Sequence, residues 1–339
     1  MVTIMNYGDP IAEHKNTREH VGIIDLSFIG KLKLTGKDVL TYLHNRLSNS
    51  IETLKHGQGC YATLLDFKGR MISDMKVYRC SDCVLMLTSP DSKDELLANF
   101  KKFIFSEDVV IEDISDKYGL LSVQGPQAKI LIERAISPSL EKLEVYGNVE
   151  REMEGHKVYI LKTDWSGEDG YHLVVPKENT ENVWNLLLDK GQDIQVKPFG
   201  LTAFNSLRLD NGIPLWGQDM NQENIPLEAN LQRAISYTKG CYPGQEIIAK
   251  ITNLSHPWRI LVGLEIQSKT PVPNHSILQQ NGEEIGQLTS NAYSPTLDKI
   301  IGLGYVKWEY REVGTKVEIE SGGSVISAVI KALPFYTRS

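Results

Sequence analysis

At Trp258 the texture of the sequence changes, and no other feature constrains the fold as strongly. Upstream, segments with helical and strand periodicity are mixed. Downstream, short strand-like stretches are punctuated by Gly, Pro and Asn, and none carries the apolar repeat of a helix. A tail of roughly 80 residues patterned in this way reads as a small β-barrel. A chain of 339 residues also exceeds one ordinary hydrophobic core, so more than one domain is expected. The division follows the texture: a larger α+β region over residues 1–257 and a β-barrel domain over residues 258–339.

Within the larger region, residues 31–35 alternate as a strand should, and Gly36-Lys37-Asp38 opens a helix to about Arg46. Residues 61–65 and 71–79 read as two strands joined by the turn Asp66-Phe67-Lys68-Gly69-Arg70. A strand over 84–88 and a charged amphipathic helix over 91–103 follow. After about Tyr118 the mixture recurs, with strands at 120–123, 158–163 and 171–175 and helices at 126–135 and 180–190. The pattern is α+β, not a regular βαβ repeat. Gly167-Glu168-Asp169-Gly170 is a turn by composition, and residues 211–220 form a long loop in which Trp216 is placed to cover a planar ligand.

The charge balance, 36 basic against 43 acidic residues for a net −7, argues against a broad nucleic-acid-binding surface. No apolar run approaches 18 residues, and the start lacks a basic segment followed by an apolar one, so neither a membrane span nor a signal peptide is expected. Four cysteines in a chain of this length do not make a disulfide scaffold, and a reducing cytoplasm is the expected setting. No GxSxG, phosphate loop, GxGxxG or HExxH pattern occurs.

Three groups of residues carry candidate chemistry. Cys241 lies between two glycines in Lys239-Gly240-Cys241-Tyr242-Pro243-Gly244-Gln245-Glu246, after an extended-looking stretch at 234–238 and ahead of a helix-forming one. A helix N-terminus and the Lys239 cation would both favour its thiolate, drawing the pKa below about 8.5. The other reading is a small buried cysteine in a tight turn. Cys80 and Cys83 have CxxC spacing but fall between strands without a second pair, so no firmly bound metal is expected. On the strand 71–79, alternation puts Ile72, Asp74, Lys76 and Tyr78 on one face. A carboxylate there requires a partner or a solvated cleft. A pair with Lys76 would satisfy it.

These residues fall into a pattern that runs nearly end to end. Val21-Gly22-Ile23-Ile24-Asp25-Leu26-Ser27, Gly57-Gln58-Gly59-Cys60-Tyr61 through Tyr78, Gln124-Gly125-Pro126, Gly167-Glu168-Asp169-Gly170-Tyr171, Ser206-Leu207-Arg208-Leu209-Asp210, Pro226-Leu227-Glu228 and Ser294-Pro295-Thr296-Leu297 occur in order. The chain resembles the folate-binding aminomethyltransferase superfamily, which includes the glycine-cleavage T-protein and the YgfZ proteins. That resemblance implies a cloverleaf of two interwoven α+β subdomains and a C-terminal β-barrel around a central folate-type channel, with tetrahydrofolate as cofactor. It places Tyr61, Asp74, Tyr78, Trp165, His172, Arg208, Trp216 and Lys239 on the ligand. Asp74 falls on the transferase aspartate and Tyr78 on the ligand-side tyrosine. Three positions depart: His172 stands for a pterin-binding glutamate, Phe204 for an arginine and Trp165 for a tyrosine. The KGCYxGQE stretch resembles the YgfZ branch, which implies Cys241 as a functional thiol and a folate-dependent role in assembling or repairing iron–sulfur clusters, including those of tRNA-thiolation enzymes. Its partners would be assembly proteins or client enzymes, sharing a transient cluster. The alternative is a tetrahydrofolate-dependent aminomethyltransferase using Asp74.

Overall fold

The computed structural model describes residues 4–138, 140 and 142–338. Residues 1–3, part of the start read above as lacking a signal peptide, lie outside them.

Three sheets organise the chain. The first has five antiparallel strands in the order Gly59–Leu65, Met71–Arg79, Val84–Thr88, Gly30–Thr35, Val110–Asp113. The helices Val39–Arg46 and Pro90–Lys102 cover one face, where Val39, Leu43, Leu96 and Phe100 pack against Leu32, Leu34, Met75 and Val77. The second sheet has six strands in the order Val196–Pro198, Val21–Asp25, Tyr118–Gln124, Gly170–Pro176, His156–Thr163, Asn148–Met153. Only the first of these pairs is parallel. The helices Ala128–Ala135 and Thr180–Lys190 cover one of its faces through Leu131, Ile132, Val183 and Leu187.

Each sheet thus has one face under helices and one face left to bury. The two remaining faces share a core: Tyr78, Leu85 and Leu87 of the first sheet meet Ile24, Leu120, Leu161 and Val174 of the second, with Ala203 and Leu207 of the helix Leu201–Asp210. Because the chain runs from Val21–Asp25 in the second sheet directly to Gly30–Thr35 in the first, the two units interweave. The third sheet is a closed six-stranded barrel formed by Arg259–Ile266, Lys299–Lys307, Glu283–Ser294, Ile277–Gln280, Lys316–Ser321 and Ser324–Lys331, filled by residues such as Leu264, Leu278, Leu288 and Ile319. No helix of the described residues is long and apolar enough to cross a membrane.

Two segments differ from expectation. The helix Pro10–Glu19 escaped the sequence reading because it buries Glu13, His14, Asn16, Thr17 and Arg18, a polar face with no apolar period. Residues 234–238 are not a strand: a single 3₁₀ turn at Gln232–Ala234 leads into irregular chain, tied down by Ser236 N–H donating to Ser48 O. The helix Gln245–Leu254 begins within the octapeptide, two residues beyond Pro243. Its cap, Gly244, has φ +78, and a Cβ there would lie 2.5 Å from the carbonyl oxygen of Asp66. Only glycine suits that turn.

Candidate active site

A cavity of about 800 Å³ opens where the two sheets, the helix Leu201–Asp210, the loop after it and the barrel converge. Its volume is that of a site for a small organic ligand. Tyr61, Asp74 and Lys76 reach it from the first sheet, His172 from the second, Trp165 from the turn between the strands His156–Thr163 and Gly170–Pro176, and Phe204, Arg208 and Trp216 from the helix and loop.

Asp74 is 7 % exposed. It does not pair with Lys76: the Tyr61 hydroxyl donates to Asp74 Oδ2 at 2.7 Å, and Asp74 takes part in no ion pair within 4.0 Å among the described residues. Strand register explains this. Tyr61 is directly opposite Lys76 and Thr63 directly opposite Asp74, so Tyr61 is the diagonal cross-strand neighbour of Asp74 and its long side chain leans along the hairpin to reach the carboxylate. A β-bulge at Leu64/Leu65 also breaks the alternation between Met71 and Ser73. Ile72 therefore packs with Met75 and Val77 under the helices instead of sharing the face of Asp74. Burial, and then the charge of Asp74, push the Tyr61 phenol well above its ordinary pKa, which keeps it a hydrogen-bond donor. Its ring stacks on Tyr146 with centroids 6.3 Å apart, and Lys76 Nζ and the Arg233 guanidinium lie 5.3 and 5.5 Å from its centroid.

His172 is held neutral. Burial, and secondarily the Lys76 ammonium, push its pKa down to about 3. Its Nδ1 is buried without a partner. Trp165 and Phe204 form an aromatic wall with centroids 4.5 Å apart, so the two positions expected to depart from the family pattern are neighbours in space.

The remaining expected ligand residues are placed differently. Arg208 borders the cavity, but its guanidinium is committed to the protein: Nη1 donates to Asp219 Oδ2 at 2.6 Å and to Ile213 O at 2.9 Å, and Nε to Asn205 Oδ1 at 2.9 Å. Only Nη2 lacks a partner. Asp219 also accepts from Thr289 and Ser290 of the barrel, both at 2.6 Å, so the pair ties helix, loop and barrel together behind Trp216. Tyr78 is fully buried and does not line the cavity, because the core shared by the two sheets closes over it. Lys239 is also absent from the wall: its ammonium donates to the carbonyls of His44 and Leu47, C-cap groups of the helix Val39–Arg46, and burial pushes its pKa down to about 8. Cys241 is exposed and lies outside the cavity wall. Cys80 and Cys83 are buried free thiols in the turn between Met71–Arg79 and Val84–Thr88. Among the described residues no group of three or more His, Cys, Asp or Glu side chains is placed to hold a metal ion.

Sequence reading missed Arg233, whose Nη1 donates to Asp164 Oδ2 at 2.8 Å and whose guanidinium overhangs both Tyr61 and Tyr146 at the cavity. It follows an irregular stretch with no local motif, so only the tertiary fold brings it to the site.

Residues 8–239 match the GCVT N-terminal domain, and residues 259–337 match the glycine cleavage T-protein C-terminal barrel domain. The chain belongs to the glycine cleavage T-protein family. An aminomethyltransferase of Desulfitobacterium hafniense is 31% identical over 335 residues, covering 98% of this chain and 92% of the relative. One of Synechocystis is 33% identical over 335 residues, covering 96% and 87%. The crystal structure of glycine cleavage system aminomethyltransferase T from Bartonella henselae superposes with a TM-score of 0.88 at 26% identity, covering 98% of this chain and 91% of that one. These full-length likenesses overturn the iron–sulfur reading based on Cys241. The octapeptide had decided that branch, yet it lies away from the cavity, with its thiol in solvent and no ligand cluster around it.

Proposed function

We propose that the chain is an aminomethyltransferase that uses tetrahydrofolate, with Asp74 as the carboxylate at the reacting centre. One observation carries the reading: a carboxylate buried in the wall of a mostly apolar cavity, hydrogen-bonded to a neutral phenol and not neutralised by an ion pair. With no ion-pair partner among the described residues, this carboxylate is available to a cation that develops beside it. In a dry site that attraction is far stronger than in water.

Each wall has a part in this chemistry. Asp74 stabilises positive charge as the aminomethyl group leaves its donor, and Tyr61 fixes the orientation of the carboxylate. Trp165, Phe204 and Trp216 offer faces to a planar ring and exclude water. Neutral His172 adds an uncharged ring to the same wall. When bound, tetrahydrofolate supplies the nitrogen nucleophiles that take up the one-carbon unit.

The test is formation of methylene-tetrahydrofolate, with release of ammonia, from purified protein, tetrahydrofolate and an aminomethyl donor. Removing one electrostatic contact to a transition state lowers kcat by about 10²–10³, and Asp74→Asn is expected in that range. Cys241→Ser is expected to leave the rate unchanged. Loss of activity in Cys241→Ser with Asp74→Asn intact would refute the assignment.

A further inference from the structure

Arg233 stands over the ring whose hydroxyl holds Asp74, and the surrounding chain fixes it there. Its guanidinium carbon lies 5.5 Å from the ring centroid of Tyr61 and 5.9 Å from that of Tyr146, within cation–π range of both. Nη1 donates to Asp164 Oδ2 at 2.8 Å, and Asp164 is fixed in turn by Asn211 Nδ2, which donates to its carbonyl oxygen at 2.8 Å. The backbone is braced as well. One side-chain amide, Asn49 Nδ2, donates to Tyr61 O at 2.8 Å and to Arg233 O at 3.0 Å, and Ser48 Oγ donates to Ala234 O at 2.7 Å. Lys76 Nζ also lies 5.3 Å from the Tyr61 centroid, but of the two cations only Arg233 is held by an ion pair among the described residues.

A cation over a phenol ring acts on its hydroxyl. It favours the phenolate, and so makes the O–H a more acidic and stronger donor. Burial and the Asp74 charge push the Tyr61 phenol up, and the Arg233 charge pulls against them. The acceptor of that bond is Asp74 Oδ2 at 2.7 Å. A better donor grips a carboxylate more firmly. Arg233 therefore reaches the reacting carboxylate without forming an ion pair with it.

We propose that Arg233, tethered by Asp164, is a positioning residue that acts on Asp74 through the Tyr61 hydroxyl. The proposal rests on the transferase reading for its kinetic consequence and on the Arg233–Tyr61–Asp74 geometry for its physical content.

A double-variant cycle on the full chain tests it, with kcat and KM for tetrahydrofolate measured for wild type, Arg233→Gln, Arg233→Lys, Tyr61→Phe and Tyr61→Phe/Arg233→Gln. The Arg233–Asp164 pair is half-exposed, so Arg233→Gln strands no buried charge. A cation–π contact of this kind corresponds to a factor of about 2 to 30 in rate. Arg233→Gln is expected to lower kcat by that factor with KM unchanged, and Arg233→Lys to retain most of the rate. Once Tyr61→Phe has removed the hydroxyl, Arg233→Gln is expected to have no further effect. A purely structural role, or a direct contact between Arg233 and the ligand, would lower activity equally in both backgrounds. The proposal is overturned by that equality, by a change of less than twofold in Arg233→Gln, by a loss confined to KM, or by an Arg233→Lys as slow as Arg233→Gln.

A second readout needs no turnover. In protein labelled with ¹³C at tyrosine Cζ, the Tyr61 signal, assigned by its loss in Tyr61→Phe, is expected to move in Arg233→Gln and to return towards wild type in Arg233→Lys. A signal unmoved in Arg233→Gln overturns the proposal. Failure of the transferase reading is a separate result: wild type would form no methylene-tetrahydrofolate from an aminomethyl donor, and the labelled phenol would still decide whether Arg233 acts on Tyr61.

Discussion

Replacing Asp219 by alanine should unfold this protein more readily than any change at its surface. Asp219 and Arg208 are both fully buried, and their 2.6 Å contact joins the helix Leu201–Asp210 to the loop that carries Trp216. Asp219→Ala leaves the guanidinium in the interior with only Ile213 O and Asn205 Oδ1 as acceptors, and Nη2 is already without one. Removing one partner of a buried ion pair costs about 3–5 kcal/mol. The Ser290 hydroxyl, also fully buried, loses its acceptor, and Leu215 N–H loses a 3.0 Å bond. Each stranded group would add about 1–3 kcal/mol if the structure did not relax. Relaxation and admitted water will absorb part of this, so a total of about 4 kcal/mol is expected, a large share of the ~5–15 kcal/mol of a typical fold. Equilibrium denaturation in urea reads it directly as a fall in midpoint at unchanged slope. The double variant Arg208→Met/Asp219→Leu should recover most of the loss, since an apolar pair strands no charge. An Asp219→Ala protein within about 1 kcal/mol of wild type would refute the argument.

Two further outcomes follow from the cavity. Tyr61→Phe removes the hydroxyl that orients Asp74 and leaves the ring in place; a hydrogen bond to a charged group contributes about 1.5–3 kcal/mol, so kcat should fall about 10- to 100-fold with KM for folate little changed, measured by steady-state kinetics. For pH, His172 in the folded state takes up its proton only near pH 3, against 6.5 for the unfolded chain. Between these values the unfolded state binds the extra proton, so stability is intact above 6.5 and falls as pH drops below it, by at most about 1.4 kcal/mol per pH unit for this one group. Burial pushes buried His14 down as well, so it acts in the same direction. Urea midpoints for His172→Gln between pH 6.5 and 4 should therefore show a shallower slope than wild type, and identical slopes would contradict the assignment.

Much of this architecture was legible along the chain. The change at Trp258 announced the barrel, and the hairpin 61–79 carried its own turn and the reacting carboxylate. Local pattern failed where burial is polar. The helix Pro10–Glu19 hides charged and hydroxyl side chains because they meet Glu168, Asp210 and Ser206 from distant segments: Arg18 contacts the two carboxylates at 3.1 and 2.9 Å, and His14 Nδ1 lies 2.7 Å from Ser206 Oγ. Motif reading failed at Cys241 for a different reason. A distinctive octapeptide marks a turn that only a glycine can make, and its conspicuous residues serve that turn and the packing beneath it: Tyr242 joins an apolar cluster and Lys239 binds two carbonyls.

The sequence by itself determined most of the element types, the C-terminal barrel and the presence of Asp74 on a strand of the central hairpin, because periodicity and turn chemistry are local and each residue states its own share. The tertiary structure alone decided which polar groups are spent and which are free. Arg208 and Lys239 look like ligand-binding cations in sequence but are consumed by Asp219 and by backbone carbonyls. Lys76, which looked like the partner of Asp74, forms no ion pair with it, and Tyr61 takes that place. Pairing depends on which segments the fold brings within about 3 Å, and such distances between residues far apart in the chain have no local signature.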